Sequence, residues 1–222
     1  MWELWPIWEV LSDAQKELLL ENSEVHHFKK NEIIKCEGEK PTHMMALLKG
    51  KVKVYKDGVG SRSQIIRMLK PFEHFGYRAI ITDEIYNTSV CAFEASEVFM
   101  VKKDVFLSLL RTNGEFCYRF LVDLATDLGV SDTRSVNLTQ KHIRGRLAEA
   151  LLSLKKSYGY EEDVATINMY MSREDLANLS NMTTSNAIRT LSNFSTENII
   201  SIDGRKIKIL DEERLLKISR IG

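Results

Sequence analysis

The chain has 222 residues, 44% hydrophobic and 28% charged, which is the composition of an ordinary soluble protein with room for one large or two modest domains. Lys and Arg number 31 and Asp and Glu also 31, so a general positive field is excluded and any nucleic-acid binding must rest on locally placed cations. No apolar run is long enough to span a bilayer. The three cysteines, Cys36, Cys91 and Cys117, are widely spaced with no Cys-x-x-Cys pair, which fits buried thiols in a reducing cytoplasm.

The N-terminus carries Trp2, Trp5 and Trp8 without a basic region or a cleavage pattern. It is therefore expected to be a packed aromatic anchor and not a secretory signal. Leu11 to Glu21 is expected to be an amphipathic helix capped by Ser12. From there to about residue 110 the pattern is mainly short strands. Lys51 to Tyr55 alternates with period two, and Ile33-Ile34, Met45–Leu48, Ile65–Leu69, Val90–Phe93 and Val98–Val101 are further candidates. Turns fall at Glu37-Gly38-Glu39, Lys49-Gly50 and Asp57-Gly58. Many short strands with regular turns predict an antiparallel barrel or jelly roll.

Between Asn113 and Leu138 the pattern changes to one long helix. Cys117, Leu121, Leu124, Leu128, Ser131, Ser135 and Leu138 recur at alternating spacings of four and three, an a/d seam suited to a partner helix. The competing fate of such a stripe is packing onto the chain's own barrel. A hinge is expected at Asn137–Thr139, followed by a helix from His142 to Tyr158.

The stretch from Ser172 to Leu210 is the most informative. Ser172 with Asp175 three residues on is a helix start. Leu176 and Leu179 form an inward stripe, and Ala177 is small where two helices must cross. Asn181 suits a tight turn. Thr183 caps a second helix, with Ala187, Ile188 and Leu191 available to the core and Thr184, Ser185 and Arg189 facing out. Asp203-Gly204 between Ile199-Ile200-Ile202 and Ile207-Ile209-Leu210 is a hairpin signal. Arg205, Lys206 and Lys208 put positive charge on this wing. Helix, turn, capped helix and hairpin make a winged helix-turn-helix, whose second helix enters a DNA major groove. Thr183, Thr184, Ser185, Asn186, Arg189 and Lys206 are the candidate DNA-binding residues. The charge distribution leans the same way, since residues 140–222 hold 13 Lys and Arg against 11 Asp and Glu.

In this order, strand-rich barrel, seam helix and winged helix resemble the Crp/Fnr family of bacterial transcription regulators. The most specific parts are the helix-turn-helix, the Phe75-Gly76 turn and Gly145-Arg146-Leu147-Ala148. The resemblance implies an α+β fold with three parts. Residues 1–112 would form a cyclic-nucleotide-binding-like β-roll, 113–138 a dimerisation helix and 139–222 a winged helix-turn-helix. It implies a homodimer on palindromic double-stranded DNA, RNA polymerase as a further partner, a cytoplasmic location, no membrane and no enzymatic activity. Relatives carry Arg then Glu where this chain has Thr184 and Ser185, so only Arg189 matches and the usual half-site preference does not carry over.

The resemblance also places an effector pocket at Gly76, Tyr77, Arg78, Ala79, Asn87 and Thr88, with Ser131 and Asp132 contributed by the long helix. Cyclic-nucleotide binders carry a Phe-Gly-Glu turn for the ribose and an Arg before Ser or Thr for the phosphate. Here Tyr77 replaces the carboxylate and Asn87 the cation, which argues against a cyclic nucleotide. An iron–sulfur cluster is rejected, because no cysteine precedes residue 36. Haem remains an alternative through a single axial ligand among His26, His27, His43 and His74. A cupin-type metalloenzyme is an alternative from another class. Against it, adjacent His26 and His27 point to opposite faces of a strand, and no catalytic or metal constellation stands out.

Overall fold

The computed structural model describes residues 7–58 and 62–221. Trp2 and Trp5 lie outside the described residues, whereas Trp8 packs, half-buried, against the N-terminal core. The chain divides into two compact units, Met1–Lys56 with Ile66–Gly129, and Asp57–Ile65 with Val130–Gly222.

The first unit opens with helix α1, Asp13–Glu21. Its start lies two residues later than expected because Ser12 is the cap itself. The Ser12 hydroxyl accepts from the Gln15 N–H while the Gln15 side chain accepts from the Ser12 N–H, a reciprocal arrangement worth about 1 kcal/mol. Eight strands follow: β1 (Ser23–Phe28), β2 (Ile33–Lys35), β3 (His43–Lys49), β4 (Val52–Asp57), β5 (Ser63–Leu69), β6 (His74–Phe75), β7 (Ser89–Ala92) and β8 (Ser96–Lys102). They form two four-stranded sheets ordered β1-β8-β3-β6 and β2-β7-β4-β5, with antiparallel pairing. Strand β3 is buried along nearly its whole length because it is flanked on both edges and covered by helices.

Two helices that the sequence pattern did not single out interrupt and close the strand-rich stretch. Helix α2 (Tyr77–Thr82) follows Gly76, and α3 (Lys103–Thr112) buries Phe106 and Leu109. The long helix α4 spans Gly114–Gln140. Its start is fixed by Asn113, whose side-chain oxygen accepts from the Phe116 N–H while its amide donates to the Val10 carbonyl and to Gln15. At the far end α4 outruns the expected hinge. Thr139 lies inside it, its hydroxyl bonded back to the Ser135 and Val136 carbonyls. The break falls at Lys141 and His142, the latter capping α5 (Ile143–Tyr158).

The face of α4 turned to the roll carries Phe116 and Phe120, both buried, with Leu124 packed beside them. Phe120 is a hub. Its ring centroid lies 5.1 Å from Phe106, 5.0 Å from Phe116, 4.5 Å from His74 and 5.7 Å from Tyr77, separations typical of favourable tilted and edge contacts. Truncating such a residue costs about 3–5 kcal/mol.

The second unit holds α5, α6 (Arg173–Leu179), α7 (Thr184–Thr196), the hairpin β9 (Ile200–Asp203) and β10 (Lys206–Ile209), and α8 (Glu212–Ile221). Its core gathers Leu147, Leu151 and Leu154 of α5 with Leu176, Leu191, Phe194, Ile199, Ile207 and Leu215. The wing gains a further bridge from Thr166 to Lys208.

His74 adds a pH dependence to the first unit. Burial chiefly, with help from nearby Arg67, lowers its pKa to about 4. Its 3.6 Å approach to Asp123 is therefore no ion pair at neutral pH. An unfolded histidine titrates near 6.5, so between that pH and about 4 the unfolded chain binds a proton that the folded chain does not. Stability contributed by the neutral ring is full above pH 6.5 and is lost as pH falls through this window. We expect the stability difference between wild type and His74→Gln, from urea unfolding at pH 7 and 4.5, to change in favour of the variant at the lower pH. A difference independent of pH would contradict a buried neutral His74.

Candidate DNA interface and effector cavity

Helix α6 starts as its sequence requires. Ser172 is the cap, its hydroxyl accepting from the Asp175 N–H at 2.9 Å. Leu176 and Ala177 are buried, and Leu179 is half-buried at the helix end. The turn is made by Asn181, whose φ of 50° is one that Asn tolerates better than most residues. Thr183 caps α7 by accepting from the Asn186 N–H at 3.2 Å.

Helix α7 buries Ala187, Thr190, Leu191 and Phe194. That spacing of three, four and seven corrects one expectation. With Thr190 on the inward face, Ile188 is turned out and stands half-exposed beside Thr184, Ser185 and Arg189. The Arg189 guanidinium donates to the Asn186 side-chain oxygen at 2.8 Å, which holds it along the outward face. The helix is clamped from behind. Glu197, at its C-terminal end, pairs with Arg144 of α5 at 2.5 Å and Arg214 of α8 at 3.2 Å. Arg144 also lies over the Phe194 ring. The Arg144 hydrogen bond holds the Glu197 carboxyl below its usual range.

In the wing the two-residue turn is Gly204-Arg205, between paired Asp203 and Lys206. Gly204 takes a φ of 56°, and its carbonyl accepts from Arg173 of α6 at 2.9 Å, fixing wing to helix. The wing lysines are not loose charges. Lys206 pairs with Glu161 at 3.2 Å and lies over the Tyr170 ring. Lys208 pairs with Asp163 at 3.2 Å. The Asp163 carboxyl is held well below its usual range, first by the Thr166 N–H and hydroxyl, then by the Ala165 N–H and Lys208. Arg205, at the tip, is exposed and has no ion-pair partner among the described residues.

A cavity of about 100 Å³ opens in the first unit. Its lining includes the expected Gly76, Tyr77, Arg78, Ala79, Asn87 and Thr88, together with Lys35, Arg67, His74 and Tyr86. Gly76 has a φ of 80°, and a Cβ there would come within 2.6 Å of the Met45 side chain, so the turn into α2 requires glycine.

Lys35 is a cation of the cavity lining to which the Asn87-Thr88 motif did not point. Lys35 donates to the Thr88 carbonyl at 2.6 Å and lies 4.0 Å from the Tyr86 ring centroid. Burial lowers its pKa to about 8. Pairing of β2 with β7 brings it there, from 53 residues away in sequence, which no local motif signals. Arg67 of β5 pairs with Asp127 of α4, and the Tyr77 hydroxyl donates to the same carboxylate at 3.1 Å. Burial first, then Asp127, raises the Tyr77 pKa to about 12, so this hydroxyl stays protonated. Ser131 and Asp132 are exposed and do not line the cavity. The α4 carboxylates near it are Asp127 and Asp123, about one and two turns before Ser131.

On α4 the expected seam is rotated. Leu124 is drawn against the roll, whereas Cys117, Leu121, Leu128, Ser131 and Ser135 are exposed and Leu138 is half-buried. The exposed apolar stripe instead runs through Tyr118, Leu121, Val122, Leu128 and Val136. Ser135 is satisfied by the Ser131 carbonyl. Of the histidines, His26 is hydrogen-bonded to Glu24 and exposed, His27 is exposed, and His43 is bonded to Thr42. Among the described residues no three His, Cys, Asp or Glu side chains gather as a metal set.

Residues 25–113 match the model of the cyclic nucleotide-binding domain, and residues 145–218 match that of the Crp-like helix-turn-helix domain. The chain is 23% identical over 194 residues to the CRP-like cAMP-activated global transcriptional regulator of Mycobacterium tuberculosis, covering 87% of both. Its fold is similar to that of a Eubacterium rectale protein assigned to the crp/fnr family of transcriptional regulators. That pair has a TM-score of 0.79 at 20% identity, with 97% of this chain and 98% of that one covered. It is also similar to FixK2 from Bradyrhizobium japonicum, with a TM-score of 0.78 at 21% identity and 88% and 96% covered. With a cyclic nucleotide-binding domain followed by a Crp-like helix-turn-helix in one chain, the protein belongs to the Crp/Fnr family of transcription regulators.

Proposed function

We propose that the protein is a cytoplasmic homodimer that binds a specific palindromic site through α7 and is controlled by an effector other than a cyclic nucleotide. The observation that carries DNA reading is the outward face of α7. Two hydroxyls and a positioned guanidinium stand there on a helix clamped by Arg144 and Arg214. Thr183, Thr184, Ser185, Asn186 and Arg189 contact bases and phosphates. At the wing, Arg205 supplies the free charge, while Lys206 must share itself with Glu161. Base-edge contact by Arg is best made bidentate to guanine.

Pairing is supported by α4. It is 27 residues long, roughly 40 Å, and its stripe is exposed among the described residues. Two recognition helices must lie about 34 Å apart to reach successive major grooves. A fixed pair turns the second half-site contact into an intramolecular one. In this arrangement residues 1–112 sense the effector, 113–138 pair and 139–222 bind DNA, with RNA polymerase as the further partner of the bound dimer.

The cavity supports an effector unlike cyclic AMP. Among the described residues its lining holds no carboxylate to accept ribose hydroxyls, and the Tyr77 hydroxyl is committed to Asp127. Of the lining cations among the described residues, Lys35 is already bonded to Thr88 and Arg67 is paired with Asp127, so only Arg78 of the α2 turn remains to meet an anion.

An operator selected from random duplex DNA, with and without cell extract as effector source, tests DNA reading. Arg189→Ala is expected to lose about 1–3 kcal/mol of affinity for that operator. Equal binding by wild type and variant would remove Arg189 from the interface. Calorimetry with cyclic AMP and cyclic GMP is expected to show no micromolar binding, and micromolar binding of either would overturn the effector assignment.

A further inference from the structure

Ile188 is half-exposed at 50% in the middle of a face otherwise built of Thr184, Ser185, Arg189 and Ser192. A single exposed apolar side chain is ordinary on a protein surface, and its position is what matters here. The buried residues Ala187, Thr190, Leu191 and Phe194 fix the inward direction of α7. At about 100° per residue, Ser185 and Ser192 point directly away from that core. Ile188 and Arg189 flank this outward line on opposite sides. Asn186 lies beyond Arg189 and holds its guanidinium on that side, away from Ile188. The face thus offers a DNA groove one flank with the Arg189 guanidinium and one where Ile188, beside Thr184, presents apolar surface.

Base edges in the major groove carry one apolar group, the thymine C5 methyl. We infer that Ile188 is a specificity-determining residue that packs on the methyl of a thymine in each half-site. The inference rests on α7 being the DNA-reading helix. Consecutive Cα atoms are about 3.8 Å apart and base pairs about 3.4 Å. The thymine therefore lies within about two base pairs of the base read by Arg189.

The test uses the full-length protein and the operator obtained by selection. Each thymine in a half-site is replaced singly by uracil, which keeps every Watson–Crick and groove hydrogen bond and removes only the methyl. Losing one buried methyl weakens binding about fourfold. We expect that loss at one thymine, within two base pairs of the position where Arg189→Ala relaxes base discrimination. Ile188→Ala, an exposed change that should keep the wild-type melting temperature, should bind the thymine and uracil operators equally. Wild-type binding indifferent to every uracil, a half-site with no thymine in that window, or undiminished methyl sensitivity in Ile188→Ala would each overturn the inference and leave DNA binding standing. Failure to enrich any operator would instead overturn the DNA-reading role of α7, and this inference with it.

Discussion

Burial of Phe120 is the constraint on which the arrangement of the first unit depends. This one side chain of α4 reaches Phe106 and Phe116, which anchor the helix, and His74 and Tyr77, which line the cavity. Once Phe116 and Phe120 face the roll, the helical period decides the rest. Leu124 follows them inward, and Tyr118, Leu121 and Leu128 are left outward. An amphipathic helix has one stripe to bury, whereas α4 has two, and the described residues cover only the first. The second is what a copy of the same helix would cover.

The cavity is wired to the same helix. Asp127 accepts from both Arg67 and Tyr77, and Asp123 approaches His74. Any occupant that draws Arg67 or Tyr77 away leaves a half-buried carboxylate short of partners on α4. Charge-assisted contacts of this kind respond strongly to the loss of one member. Under the proposed function, such a contact would give an effector a direct hold on α4, beside the stripe proposed to pair. In the second unit the parts proposed to face DNA are tied down by Glu197 behind α7 and by Arg173 on the wing turn.

Local chemistry was legible in the sequence. Ser12, Ser172 and Thr183 cap the helices they precede, Asn181 makes the turn, and Asp203-Gly204 marks the hairpin, because each is decided within three or four residues. What the sequence hid depends on partners far along the chain. The four-three pattern on α4 was real, but Leu124 belongs to both possible stripes and only the roll decides between them. Ile188 looked like core until Thr190, a residue usually read as surface, took the inward position. Lys35 and Arg67 reach the cavity through strand pairing, and Asn87 and Thr88 gave no hint of them. The wing lysines put positive charge on the hairpin as read, but their partners Glu161 and Asp163 lie some 45 residues away and no local pattern pointed to them.

The central claim is that the exposed stripe of α4 pairs in parallel with a second copy. Cys117 is exposed at the beginning of this helix, so two copies of it meet only if the helices run side by side in the same direction. In an aligned antiparallel pair they would be roughly 30 Å apart. The direct measurement is treatment of the wild-type protein at micromolar concentration with a short bismaleimide, followed by peptide mass mapping. The account requires a covalent dimer linked from Cys117 to the partner's Cys117. Recovery of monomer alone, or of dimers joined only through Cys36, would contradict it.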